Sequence, residues 1–198
     1  MVSIVEGQEN LVSRLMNIGL RILFREYEEE YVRAIIVEDI GKIFLPEGVV
    51  ELVKGSEYSI PRWVARELAR RGLVEVKDDG IGLERLAKIT YGEETTTRRM
   101  AFEKLHPYFY HMVKDEIESL YRVLEEEKKP MILADINRYE EYLSKIGRIR
   151  VRKLINLLLI KPPQDLMNKL SEEEVMLYRM LKDLLMKWLI SLRIEKGT

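Results

Sequence analysis

Residues 31–53 read YVRAIIVEDIGKIFLPEGVVELV, and this stretch predicts a small β-sheet. Tyr31–Val37, Lys42–Leu45 and Val49–Val53 are short runs rich in β-branched and aromatic residues, which are typical of strands. The segments between them, 38–41 and 45–48, contain the glycines and the proline that indicate turns. Because these turns are too short for a helical crossover, we expect the strands to pair antiparallel in one sheet.

The next segment predicts one helix over residues 61–72, followed by a short strand. Pro61 suits the first turn of a helix, and Gly72 suits the position after its last turn. Leu73–Val76 then has the composition of a strand. Lys77–Gly82 (KDDGIG) is polar and contains glycine, so we expect a linker there, and the first proteolytic cut away from the ends.

From residue 83 onward the sequence predicts helices. An apolar stripe at helical spacing indicates a long helix that begins after Pro107. Its members are Phe109, Val113, Ile117, Leu120 and Leu124. Asp135–Lys145 and Arg148–Ile160 are predicted as two further helices, separated at Gly147, and Pro162-Pro163 is expected to end the second.

A last helix is predicted from Ser171, which has Glu174 three residues later in the pattern of a capping box. The predicted fold class is therefore α+β. A small β-rich N-terminal domain, residues 1–80, precedes a larger all-α helical bundle of four or five helices, residues 83–198.

The composition excludes several classes of function. Among the 198 residues, 33 lysines and arginines oppose 34 aspartates and glutamates, so the formal net charge is −1 and bulk coating of nucleic acid is excluded. The chain has no cysteine and two histidines, five positions apart, so a thiolate or histidine-rich metal centre is not expected. Glu6 and Glu9 stand where a secretory signal carries basic residues, and we expect a cytoplasmic protein.

No pattern predicts catalysis. The acidic clusters, Glu28–Glu30 and Glu172–Glu174 among them, are interpreted as solvated helix faces or helix starts. Gly80-Ile81-Gly82 lacks the third glycine of a phosphate-binding loop, and Thr95-Thr96-Thr97 is interpreted as the start of a helix. We therefore predict that the protein is not an enzyme and has no catalytic, metal or cofactor-binding residue.

Two basic segments and one apolar position are candidates for partner binding. Arg62, Arg66 and Arg70 recur every four residues on one helix face beside Trp63, and we expect the arginines to face outward toward an acidic partner. Trp63 itself could anchor an interface or belong to the core, and the core interpretation is narrowly preferred.

The second basic segment, residues 145–161, contains no acidic residue, and Lys145, Arg148 and Arg152 are its candidates. They could follow phosphates or pair with acidic residues of the same bundle or of another subunit. In the last helix, Leu185 is the first candidate for an interface between subunits.

The order of several motifs resembles the GINS family. Residues 35–55 followed by Ile60-Pro61-Arg62-Trp63-Val64-Ala65 resemble the small domain of GINS subunits, with Arg62 in place of the usual leucine. Residues 105–110 (LHPYFY), the stretch 148–157, and Leu170–Glu174 with Tyr178 resemble helix motifs of the same family. The resemblance covers about residues 32–192 and is closest to the subunit type whose small β-rich domain comes first.

The resemblance implies a replication factor without catalytic residues. GINS assemblies associate with the MCM helicase ring and a RecJ-like partner at the replication fork, which implies a location at the nucleoid. The short chain resembles the archaeal version, which pairs with a sister subunit of reverse domain order, usually as a two-plus-two tetramer. Direct contact with DNA and the face that meets MCM are left open.

The alternative is a winged-helix DNA-binding regulator with a helical dimerisation domain. Residues 66–76 (RELARRGLVEV) have its helix-then-wing pattern, and the three arginines would then contact phosphates and bases. Residues 1–80, however, hold eleven basic against fifteen acidic residues, which is the wrong sign for reading DNA. An unclassified helical enzyme is a third and weaker hypothesis.

Overall fold

The computed structural model describes residues 2–45, 47–77, 80–96, 101–160 and 162–194, with the backbone alone for residues 2–10. Internal contacts divide the chain into two units, Met1–Asp79 and Gly80–Thr198. Strands between residues 31 and 76 precede a larger helical region, so the predicted fold class is confirmed. The exact domain limits and the linker at 77–82 stay predictions, and Pro46, Asp78, Asp79, Thr97 and Lys161, on which parts of the predictions fall, lie outside the described residues.

Among its described residues, the first unit contains two helices and five strands. These are α1 (Val2–Glu29), β1 (Tyr31–Ile36), β2 (Gly41–Leu45), β3 (Gly48–Leu52), β4 (Glu57–Pro61), α2 (Arg62–Arg70) and β5 (Val74–Val76). All strand pairs are antiparallel, as predicted, but they form two sheets: a three-stranded sheet in the order β4-β1-β5 and the hairpin β2-β3. The prediction of one sheet is wrong because β4 and β5 occupy both edges of β1, which leaves β2 and β3 to pair with each other.

Alternation along β1 sets the core of this unit. Val32, Ala34 and Ile36 are buried and pack with residues of β3, β4, α2 and β5. Gly72 has φ of +72°, a conformation that favours glycine, and it follows the last turn of α2 as predicted. The sequence analysis did not predict α1 or β4.

The second unit is helical. It contains α3 (Leu83–Thr95), α4 (Phe109–Glu127), α5 (Pro130–Leu157), α6 (Gln164–Met167) and α7 (Glu172–Ser191). Helix α5 packs against both α3 and α4. The predicted stripe of α4 is confirmed at its start, where Phe109 and Val113 are fully buried. The capping box at Ser171 is confirmed as well, since its hydroxyl accepts from the amide of Glu174.

Two predictions in this unit are wrong. Residues 130–157 form one helix with no break at Gly147, and this helix ends before Pro162-Pro163. A glycine in a helix interior costs about 1 kcal/mol of stability relative to alanine. Helix α5 packs against α3 and α4, and the stabilisation from this packing exceeds that cost. Thr95 ends α3 and Thr96 caps its C-terminus, so this cluster closes a helix where the sequence predicted a start.

Candidate assembly interfaces

The three arginines of α2 do not form one outward-facing stripe. Arg66 pairs with Glu28 at 2.6 Å between Nη2 and Oε1, and Arg62 pairs with Glu30 at 3.3 Å between Nη2 and Oε2. The Arg62 side chain is only 11% exposed, so its predicted outward position is wrong. Arg70 is exposed and lies 3.9 Å from Glu67. The acidic groups that face Arg62 and Arg66 thus belong to the end of α1 and the turn after it.

This pairing argues against the winged-helix alternative. That hypothesis requires the guanidinium groups of α2 to reach phosphates and bases. Two of the three already bind carboxylates of their own chain. A strand also directly precedes α2, in place of the further helix that a winged-helix domain needs.

Trp63 lies at the surface of α2. Its side chain is 47% exposed, whereas the neighbouring Val64 and Ala65 are buried. The preferred core interpretation is therefore wrong, because the buried face of this short helix is set by residues 64 and 65 and Trp63 lies beside it. An exposed indole next to arginines has the composition of an interface anchor.

The basic segment of α5 divides into two faces. Lys145, Arg148 and Arg152 are exposed and share one side of the helix at a spacing of three and four residues. Lys145 binds Glu94 at 2.7 Å, and Arg148 and Arg152 make no ion pair within the described ranges. Pairing inside the bundle, one of the two predicted alternatives, thus occurs for Lys145.

The other face of α5 carries a buried ionic network that the sequence analysis missed. Arg150 is completely buried, and all five of its N–H groups are used. Nε and Nη2 bind the two carboxylate oxygens of Glu174, each at 2.6 Å, and Nη1 binds Glu93. The remaining two donate to the carbonyl oxygens of Glu103 and Lys169.

Lys153 completes this network one turn along α5. Its Nζ binds Glu93 Oε2 at 2.6 Å and the carbonyl oxygen of Ala101 at 2.8 Å. Burial opposes the charge of Arg150, but the hydrogen bonds and charge of Glu174 outweigh it, so the pKa of Arg150 lies above its ordinary value. Two cations and two carboxylates therefore connect α3, α5 and α7 with a balanced charge.

The acidic cluster at the start of α7 belongs to the same interior. The interpretation of residues 172–174 as a helix start is confirmed, because all three lie in the first turn of α7. Glu173 and Glu174 are buried, so the alternative of a solvated face does not hold for these two. Glu173 Oε1 lies 2.7 Å from His111 Nδ1, and the Tyr110 hydroxyl donates to Glu174 at 2.8 Å. Burial, together with the charge of Glu174, raises the pKa of Tyr110 well above its ordinary value.

The second half of α7 exposes apolar side chains. We define the α7 apolar surface as Leu181, Leu184, Leu185, Trp188 and Leu192. Leu184 is 62% exposed and Trp188 is 55% exposed, whereas Leu185 is half-buried at the edge of this surface. Leu192 is 53% exposed, and Ile194 is exposed beyond this surface. A run of large exposed apolar side chains on one helix is typical of an interaction surface.

Three further features of the described residues bear on the site. Within the ranges given above, no three histidine, aspartate or glutamate side chains gather as a metal site. A cavity of about 540 Å³ in the helical unit is lined by Leu105, Leu170, Val175 and seven further residues, with Glu172 as its single acidic group. Within the ranges that the structure describes, no helix has the length and apolar character that a bilayer span requires.

Comparison with known proteins identifies the helical unit. The family model Sld5, described as the GINS complex protein helical bundle domain, matches residues 81–193, more than half of the chain. This range contains all of α3 to α7, including the ionic network and the α7 apolar surface. None of the curated proteins matches the chain.

Proposed function

Because this chain belongs to the GINS family, we propose that it is a non-catalytic scaffold subunit of the GINS DNA replication complex, of the archaeal type. In this proposal the helical domain binds a sister subunit of reverse domain order in a two-plus-two tetramer. The assembled complex then associates with the MCM helicase and a RecJ-like protein at the fork, and so lies at the nucleoid.

The α7 apolar surface is the observation that carries the proposal. The exposed parts of Leu184 and Trp188 remain in water in the isolated chain, although burial of a large apolar side chain is worth about 1.5–3 kcal/mol. The buried residues of α7 lie in its first turns: Glu173, Glu174, Val175 and Tyr178. Its second half is therefore available to pack against helices of another subunit.

Two polar surfaces are proposed for the remaining partners. Lys145, Arg148 and Arg152 form the exposed basic face of α5, which suits an acidic protein surface. On the β-rich domain, Trp63 and Arg70 are exposed and offer an aromatic anchor beside a charge. Neither surface needs a cofactor, which agrees with a scaffold role.

Co-purification from native extract tests the assignment. We expect the wild-type chain to retain a reverse-order sister subunit and an MCM protein, both identified by mass spectrometry. Leu184→Glu should lose the sister subunit, while the circular dichroism of the variant stays unchanged because Leu184 is mostly exposed. Lys187→Glu, which places the same charge at an exposed polar position of the same helix, is the matched control.

Leu185→Glu distinguishes interface from core at the candidate that the sequence singled out. Because Leu185 is half-buried, we expect weaker association with little change in helix content. Outright unfolding would show that Leu185 serves its own chain. Retention of the sister subunit by both leucine variants would refute the proposed use of α7.

A further inference from the structure

Helix α1 has a row of exposed apolar side chains, which we call the α1 seam. None of the described residues of the chain covers it. Leu11, Leu15, Ile18 and Ile22 are spaced by four, three and four residues, and each is between 52% and 60% exposed. Alternating steps of four and three residues, which average 3.5 over each full heptad, characterise coiled coils. The same spacing continues backward in the sequence to Ile4 and Gln8.

The seam lies on the side of α1 opposite to the residues that hold this helix against α2. Tyr27 is 2% exposed, and Arg62 lies 4.2 Å above its ring. Each residue turns a helix by about 100°, so Tyr27 stands about 150° from the middle of the seam. Glu28 and its partner Arg66 fix the same end of the helix to α2. The attachment to α2 therefore leaves the seam open to another helix.

We propose that this seam binds the α1 seam of a second copy of this chain in a parallel coiled coil. In a coiled coil the seam residues occupy positions a and d, with Leu15 and Ile22 at a and Leu11 and Ile18 at d. Arg21 then flanks the seam at position g and Glu26 at the following position e. In a parallel pair, Arg21 of each copy lies beside Glu26 of the other, which gives two complementary contacts.

The antiparallel arrangement is disfavoured by charge. It would place Leu11 opposite Ile22 of the second copy, and the flanking Arg14 beside Arg21 of that copy, twice by symmetry. Like charges at such positions are destabilising. A helix whose apolar side chains remain in water is only marginally stable. Pairing of two copies would bury the seam residues, which the rest of their own domain leaves exposed. The seam lies outside residues 81–193, and the inference goes beyond the proposed function.

The absence of cysteine from the sequence allows a geometric test on the full chain. We expect Leu11→Cys to form a disulfide-linked dimer on mild oxidation, because a parallel coiled coil places the two d positions opposite each other. The matched control is Ser13→Cys, two positions away at the outer position f, which should not cross-link. A mixture of Leu11→Cys and Ile22→Cys chains should give few mixed dimers, since these positions are about 16 Å apart along parallel helices.

A second substitution in the seam tests whether the cross-link depends on apolar packing. In the Leu11→Cys chain, Leu15→Glu should lower the rate of cross-linking at least about tenfold, whereas Asn17→Glu on the outer side should leave it unchanged. Equal cross-linking of Leu11→Cys and Ser13→Cys, or preferential mixed dimers, would overturn the inference. Because no sister subunit is present in this assay, its result is independent of the proposed assembly through α7.

Discussion

Replacement of Arg150 by methionine should destabilise the helical domain strongly. The guanidinium is completely buried, and its five N–H groups all donate to groups of the same unit. Methionine is unbranched and apolar and reaches about as far as the arginine Nε, so the change removes the donors while filling the space of the aliphatic stem. Glu174 would then lose its guanidinium partner and keep only neutral donors among those described, the Tyr110 hydroxyl and the Ser171 amide. Glu93 would keep Lys153 and the amide of Glu103 but lose the second cation.

The expected loss of stability is about 3–5 kcal/mol, which is the range for removing one partner of a buried ion pair. A lost hydrogen bond to a charged group costs about 1.5–3 kcal/mol, and Arg150 makes three of them with Glu93 and Glu174. These contributions do not add fully, because the freed carboxylates can take up protons or water. For a chain of 198 residues, the loss corresponds to a fall in Tm of about 6–20 °C.

Urea unfolding followed by far-ultraviolet circular dichroism measures this loss at a fixed protein concentration, because association shifts apparent stability. Arg152→Met is the matched control: the same substitution two residues along α5, at an exposed arginine without an ion pair in the described ranges. It should change stability by at most about 0.5 kcal/mol. If Arg150→Met cost less than about 1 kcal/mol, or no more than the control, the network would not hold the three helices together.

Three further predictions concern single residues. Trp63→Ala should lower the free energy of unfolding by less than the roughly 3–5 kcal/mol that a buried aromatic costs, since Trp63 is 47% exposed. It should weaken partner binding by about 2 kcal/mol. The melting temperature and the partner affinity, measured on the same protein sample, distinguish an interface residue from a core residue. Gly147→Ala should raise the free energy of unfolding in urea by about 0.5–1 kcal/mol, because a Cβ at this position meets nothing within 4 Å. A lower stability of this variant would contradict a continuous helix through Gly147. Burial, with the charges of Glu116 and Asp135, raises the pKa of Tyr139 to about 12. The folded state therefore holds this proton more tightly, and stability should fall as the pH rises above about 10, less steeply in Tyr139→Phe.

Features that depend on neighbouring residues in the sequence were predicted well. The β-branched run at 31–37, the glycine at position 72 and the pairing of Ser171 with Glu174 each specify a local conformation. The family resemblance, which rests on the order of short motifs, was confirmed for the same reason. The seam of α1 was equally visible as a spacing of apolar residues and could have predicted that helix.

The candidate interfaces depended on contacts between distant parts of the chain. Arg150 and Glu93 are separated by 57 positions. The spacing of Arg150, four residues from both Ile146 and Leu154, places it on the apolar side of α5, but the acceptors that stabilise its burial come from other elements. Glu174 carried a recognisable capping signal, but its second role as the bidentate partner of Arg150 required the fold.

The sequence by itself determined the order of a β-rich and a helical domain, the ends of several helices and the family, because periodicity, turn residues and caps act within a few positions. Only the tertiary structure decided which charges are buried and which remain at the surface. Burial of an arginine is stable only where several acceptors converge on it from separate elements. That convergence placed Arg150 inside, and the burial of Val64 and Ala65 left Trp63 outside.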